Sequence, residues 1–182
     1  MRIIFVTGPS CSGKSTYVDE ISKVLDNPVV LCPGRIIRDV WGEKFLVNNF
    51  TGPACNLLED VVRSLVTSHV SLCLEINKSL VIDGFPRTME QLYMVNHFAA
   101  VSHSAMCGWV GKSPACVEVV FIIPPPNVLR ERISKRTGEE GPDFELATMN
   151  IKSGTKIFED MITKFKKIPT EWDGKITVLR DY

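Results

Sequence analysis

The stretch that most constrains this chain is Gly8-Pro9-Ser10-Cys11-Ser12-Gly13-Lys14-Ser15, followed by Thr16. It leaves the apolar run Ile3-Ile4-Phe5-Val6 and enters a segment with helical spacing. Gly8 and Gly13 admit backbone dihedrals closed to residues with side chains, so successive N–H groups can face one concave nest and hold phosphate oxygens. Lys14 brings a mobile ammonium to the outer phosphates, Ser15 offers a hydroxyl to a magnesium ion, and the following helix directs the positive end of its dipole at the anion. A loop of this pattern set directly between a strand and a helix predicts a phosphate cradle over residues 8–16.

The bulk of the sequence narrows the class further. In 182 residues, 21 Lys plus Arg balance 21 Asp plus Glu. The length suits one domain with a sizeable core, and the zero net charge gives no sign of a broad nucleic-acid surface. No apolar run approaches the ~20 residues of a membrane span, and the first residues read as a core strand rather than a signal peptide. Cys11, Cys32, Cys55, Cys73, Cys107 and Cys116 are scattered without C-x-x-C or zinc spacing. That pattern fits reduced thiols and a cytoplasmic setting. The expected chain is a monomer with no nucleic-acid or membrane partner.

Taken in order, residues 2–7 predict a strand buried on both faces. A helix from 13 or 14 to about 25 follows, with Tyr17 or Val18, Ile21, Val24 and Leu25 on its inner side. Residues 29–31 read as a short strand, and Pro33-Gly34 turns the chain into a helix over 36–41. Residues 42–53 read as a loop or short helix. A long helix over 57–74 places Leu58, Val61, Val62, Leu65, Val66, His69 and Cys73 near one face. A strand over 79–82 ends at Asp83-Gly84, and a helix runs from Met89 to about Phe98. Residues 99–116 read as a loop or an added hairpin. A strand over 117–123 stops at Pro124-Pro125-Pro126, and Asn127 caps a helix to about 135. A polar loop over 137–143, a helix over 146–167 and a strand over 175–179 complete the chain. Alternating strands and helices predict an α/β fold: a five-stranded parallel sheet flanked by helices, with ligands at the strands' C-terminal ends.

A second informative stretch is Leu80-Val81-Ile82-Asp83-Gly84-Phe85-Pro86-Arg87-Thr88-Met89-Glu90-Gln91. An acid at the end of a strand neighbouring the phosphate loop is placed to hold a magnesium ion's hydration shell together with Ser15. Arg87, four residues on, can clamp a second phosphate bidentately.

With these residues the sequence resembles the nucleoside monophosphate kinases of the adenylate kinase type, whose DGFPR-T/N signature stands here as Asp83 to Thr88. The resemblance implies a P-loop NTPase fold using Mg-ATP, with a flap near 35–60 that binds the monophosphate and a short lid at about 137–145. It implies that Arg38 and Arg87 hold the acceptor phosphate, with Gly84 beside them. Arg35 stands where that family carries an acid. Gln91 falls on the position that reads the acceptor base, which tilts the acceptor toward AMP. Arg132 and Arg136, four apart on one helix, fall on arginines that bind the donor's phosphates; Arg130 points elsewhere. The lid holds Glu139, Glu140 and Asp143 where the family supplies an arginine, leaving Lys152 and Lys156 as the nearest cations on the helix that follows. The loop beyond the last strand that contacts adenine in that family is largely missing. His69, His97 and His103 lack ligand-spaced neighbours, and Trp41, Trp109 and Trp172 read as packing.

The implied activity is transfer of the γ-phosphoryl group of ATP to a nucleoside monophosphate, with Lys14, Arg87, Arg132 and Arg136 as the catalytic charges. Two rival readings are a pyrimidine or deoxynucleotide kinase of the same fold and a nucleotide-binding regulatory ATPase with weak transfer.

Overall fold

A computed structural model of the chain describes residues 1–42, 53–107, 115–137, 155–167 and 175–182, with backbone alone at 53–57, 101–107 and 137. Its elements are β1 (Arg2–Thr7), α1 (Lys14–Val24), β2 (Val29–Leu31), α2 (Pro33–Trp41), α3 (Pro53–Glu75), β3 (Leu80–Asp83), α4 (Met89–Cys107), β4 (Cys116–Ile122), α5 (Pro126–Thr137), helical residues 155–165 (α6) and β5 (Lys175–Leu179). The five strands form one parallel sheet in the order β2-β3-β1-β4-β5.

Strand periodicity distributes the core to two faces. Ile3, Phe5, Leu80, Ile82, Val117, Val119 and Phe121 point to one side, where Val66, Val70 and Cys73 of α3, Leu92 and Val95 of α4, and Phe158, Met161, Ile162 and Phe165 of α6 cover them. Ile4, Val6, Val81, Val120 and Ile122 point to the other, beneath Val18, Tyr17 and Ile21 of α1. Near-continuous apolar strands are the consequence of burial on both faces. Leu129 and Ile133 of α5 make a small separate cluster with Cys11, which seats that helix against the turn after β1.

Several boundaries differ from the sequence reading for local reasons. Val24, expected on the inner stripe of α1, is 82% exposed, because the stripe runs through Val18, Ile21 and Leu25 and leaves Val24 to one side. Pro33 begins α2 rather than preceding it, as suits a residue with fixed φ and no N–H to lose. Pro126 does the same for α5, so Asn127 lies inside the helix instead of capping it. The helix from Met89 continues to Cys107, replacing much of the loop expected over 99–116. Ala99, Ala100, Val101, Ser102 and His103 to Cys107 contain no glycine or proline, and the first breaker is Gly108. The flap residues 43–52, the lid residues 138–145 with Glu139, Glu140 and Asp143, the helix expected over 146–154 with Lys152, and Trp109 and Trp172 lie outside the described residues. No helix among the described residues is long and apolar enough to cross a membrane.

One buried acid ties the sheet together. Glu118 of β4, 3% exposed, accepts hydrogen bonds from Arg2 Nη2 of β1 at 2.8 Å and Thr177 Oγ1 of β5 at 2.8 Å, with Lys175 Nζ at 3.5 Å. Glu118→Gln keeps the shape and removes the charge, so it should cost about 2 kcal/mol. For a chain of this size that lowers Tm by about 4–8 °C. Thermal unfolding followed by circular dichroism measures it, and an unchanged Tm would mean the three-strand tie contributes nothing.

Candidate functional site

The site forms where β1 ends between its two neighbours. Gly8 sits so close to β4 that a Cβ there would lie 2.1 Å from the Ile122 carbonyl oxygen. Contact with that carbonyl, beyond its φ of +152°, makes glycine obligatory. The loop then turns through positive φ at Cys11 (+59°) and Gly13 (+96°). Gly13 is the N-cap of α1, and no side chain caps that terminus. The first-turn N–H groups are thus free of side-chain caps, as an anion cradle requires.

Lys14 Nζ donates to the Pro9 carbonyl at 2.5 Å and the Gly8 carbonyl at 3.1 Å, folding the ammonium back over the loop. Burial, reinforced by the positive charge of Arg87 and opposed by Asp83, pushes its pKa down to about 8. A lysine held so close to losing its proton is one that a bound anion will recharge.

The end of β3 meets the loop from one side. Asp83 Oδ2 accepts a hydrogen bond from Ser15 Oγ at 3.0 Å, which brings the two residues expected at a magnesium ion side by side. Beyond it, Gly84 takes φ +82° and donates its N–H to the Val6 carbonyl, while Thr7 Oγ1 donates to the Pro86 carbonyl. These two bonds pin the DGFPR turn to β1. Arg87 Nε donates to the Gly84 carbonyl at 2.9 Å, aiming the guanidinium across the loop.

From the other side comes α5. Arg132 Nη1 donates to the Ser12 carbonyl at 3.1 Å and Nη2 to the Tyr182 carbonyl at 2.8 Å. Tyr182 packs its ring edge-on to Tyr17 at 5.5 Å and donates its hydroxyl to Glu20 Oε2 at 2.6 Å. Its ring lies close enough to Gly13 that a Cβ there would be 3.1 Å away. Burial first, then the Glu20 carboxylate, pushes the Tyr182 phenol up to about 12.

Together these elements enclose a cleft of about 950 Å³. The loop from Ser10 to Thr16 forms its floor, Arg35 and Arg38 of α2 and Gly84 and Arg87 one wall, and Arg132, Arg136 and Tyr182 the other. Lys14, Arg35, Arg38, Arg87, Arg132 and Arg136 line it against two carboxylates, Glu20 and Asp83, both already hydrogen-bonded. Among the described residues the cleft therefore has six cations and no uncommitted acid.

Most of the site residues expected from sequence are brought together here. Ser10, Cys11, Ser12, Gly13, Lys14, Ser15, Thr16, Arg38, Asp83, Gly84, Arg87, Arg132 and Arg136 reach the cleft. Gly8 and Pro9 lie beneath its floor and shape it. Gln91, expected to read a base, does not line the cleft. It is 4% exposed and off the cleft wall, its Oε1 accepting from the Arg87 N–H at 2.6 Å and its Nε2 donating to Glu59 Oε2 at 2.8 Å. Glu59 in turn pairs with Arg63 at 3.2 Å. Gln91 thereby braces the turn that carries Arg87. Lys156 is exposed on α6 and off the cleft, and Arg180 is committed to Glu159 at 2.6 Å. His69 bonds its own helix at the Leu65 carbonyl. Glu20 and Tyr182 went unseen in the sequence, being 162 residues apart with no local pattern to mark either.

A parallel sheet with a phosphate-binding loop after its central strand, an acid at the end of the next strand and arginines converging from two helices defines the P-loop kinase-like fold. The chain belongs to the AAA domain family, whose profile matches residues 4–152. No curated protein matches it. Among solved structures it is similar to shikimate kinase from Acinetobacter baumannii in complex with shikimate (16% identity, 97% of this chain and 83% of that one, TM-score 0.59). It is also similar to a protein from Chloroflexus aurantiacus provisionally assigned as a kinase (16% identity, 98% and 84%, TM-score 0.59). A third similarity is to a chain of the Pnkp1/Rnl/Hen1 RNA repair complex (18% identity, 90% of this chain but 46% of that one, TM-score 0.64).

Two predictions follow from this geometry. Gly8→Ala drives a methyl group into the Ile122 carbonyl, so it should abolish Mg-ATP binding measured by calorimetry; retained affinity would show that the loop tolerates displacement. The second concerns pH. Because Lys14 titrates near 8 in the folded chain against 10.5 ordinarily, the unfolded chain holds more protons between those values, and the ligand-free protein gains stability as pH rises across them. An anion that restores the Lys14 proton must lose affinity over the same interval. ATP titrations should weaken progressively above pH of about 8, and Lys14→Arg, charged throughout, should remove that slope.

Proposed function

We propose that this chain is a nucleoside monophosphate kinase of the adenylate kinase type, transferring the γ-phosphoryl group of ATP to a second nucleotide. The observation that carries this reading is the division of the cleft's surplus cations between two walls. Lys14, Arg132 and Arg136 surround the loop, while Arg38 and Arg87 arrive from α2 and the β3 turn. Two separate anionic partners account for that division better than one.

In this reading the loop N–H groups and Lys14 bind the β- and γ-phosphates of the donor, and Arg132 and Arg136 neutralise charge that develops on the moving phosphoryl group. Arg38 and Arg87 hold the acceptor phosphate in line with the γ-phosphorus. An oxygen of the acceptor phosphate forms the new P–O bond, the bond from the γ-phosphorus to the bridging oxygen breaks, and its electron pair leaves with ADP. The acceptor oxygen is already ionised, so no side chain need remove a proton. Ser15 and Asp83 suit a magnesium ion, since their oxygens already lie 3.0 Å apart beside the loop. When bound, that ion supplies charge neutralisation to the phosphates.

The base preference is left unassigned in this proposal, because the amide of Gln91 that favoured AMP is committed to Arg87 and Glu59. A second reading, a regulatory ATPase with weak transfer, draws support from Arg132 being bound to the Ser12 and Tyr182 carbonyls. Incubation with Mg-ATP and each nucleoside monophosphate, scored for diphosphate formation, separates the two. Arg87→Ala should lower acceptor kcat/KM by about a hundredfold or more while ATP affinity stays nearly constant. Equal loss of ATP binding would show that Arg87 serves the donor.

A further inference from the structure

Arg35 is the one cleft cation with no role in the transfer described above. It lies one helical turn before Arg38 on α2, so the two side chains share a face. Both are exposed toward the cleft, and neither makes an ion pair or hydrogen bond with any described residue. Arg35 also borders a side cavity of about 230 Å³ that opens beneath α2 beside Ser15 and Asp83. Asp19 lines that cavity too, yet no ion pair joins it to Arg35.

Three guanidiniums therefore stand on the acceptor wall: Arg35, Arg38 and Arg87. A single phosphate dianion can accept hydrogen bonds from two of them, and Arg38 and Arg87 both line the cleft. Arg35 is left facing a separate space about one helical turn along, roughly 5–6 Å between Cβ atoms. Like charges gathered this way repel unless a second anion enters. We infer that the acceptor carries a second phosphate beside the one that receives the γ-phosphoryl group, and that Arg35 reads it. The inference rests on the kinase reading and replaces its nucleoside monophosphate acceptor with a doubly phosphorylated nucleotide. The shared chemistry is a nucleotide with two anionic phosphates on its bound end, met by a nucleoside 3′,5′-bisphosphate or a nucleoside 5′-diphosphate. In either, the new P–O bond forms at the 5′ end, ADP departs with the electron pair, and any further phosphate is unchanged.

The test is calorimetric titration with the donor half filled by magnesium and an ATP analogue blocked at the β,γ position. Adenosine 5′-monophosphate, adenosine 3′,5′-bisphosphate and ADP are compared on the wild type, Arg35→Ala and Arg38→Ala. One of the two doubly phosphorylated ligands should bind the wild type about tenfold or more tighter than the monophosphate, and which one does so identifies the source of the second phosphate. Arg35→Ala, a change at an exposed side chain, should bring the ligands to a common affinity, whereas Arg38→Ala should weaken all of them and keep their ratio. Equal affinities in the wild type, a preference that survives Arg35→Ala, or no binding by any of the three overturns the inference. Failure of the kinase reading shows differently: no acceptor yields product with hydrolysable ATP although the affinity ratio persists.

Discussion

Everything in this fold depends on the seating of one loop against one carbonyl. Gly8 meets the Ile122 oxygen with no room for a methyl group, so only glycine there lets β1 carry the phosphate loop in beside the end of β4. Parallel pairing of β1 with β3 and β4 in register brings Asp83 to the same level from one side and the root of α5 from the other. Once the loop is fixed there, Lys14, Ser15, Asp83 and Arg132 have little freedom in where they meet. Interiors packed like crystals transmit such constraints without slack.

The second governing fact is electrostatic. A protein with no net charge concentrates six cations in one cleft and commits both nearby acids to internal hydrogen bonds. Low-dielectric walls strengthen that field; burial is the first cause of the depressed Lys14 pKa, and the positive charge of Arg87 adds to it. Until an anion arrives, backbone carbonyls stand in: Gly8 and Pro9 accept from Lys14, and Ser12 and Tyr182 accept from Arg132. In the proposed reading, Lys14 and Arg132 reach the donor phosphates only by exchanging these carbonyl bonds for bonds to phosphate oxygens.

What the sequence makes legible is what lies close along it. Gly8 to Thr16, the acid four residues before Arg87, and the i, i+4 pair Arg132 and Arg136 are each readable within a short window, and all but Gly8 and Pro9 line the cleft. The strands were equally plain, because residues buried on both faces leave runs such as Val119 to Ile122 without a polar break. The bond from Gln91 to Glu59 was not legible, because its partner lies 32 residues away on another helix. Tyr182 and Glu20 were missed because only the folded sheet brings the last strand's end beside α1. The extension of α4 to Cys107 turned on the absence of a breaker, a weaker signal than the presence of one.

The central claim is that one cleft receives two nucleotides, their phosphates facing each other between Lys14 and Arg87. Calorimetric titration with a bisubstrate compound, two nucleosides joined end to end through a polyphosphate, addresses it most directly. With magnesium present, the account predicts one molecule bound per chain, more than about tenfold tighter than ATP, since linking two ligands makes the second contact intramolecular. Binding no tighter than ATP, or two molecules per chain, would contradict it.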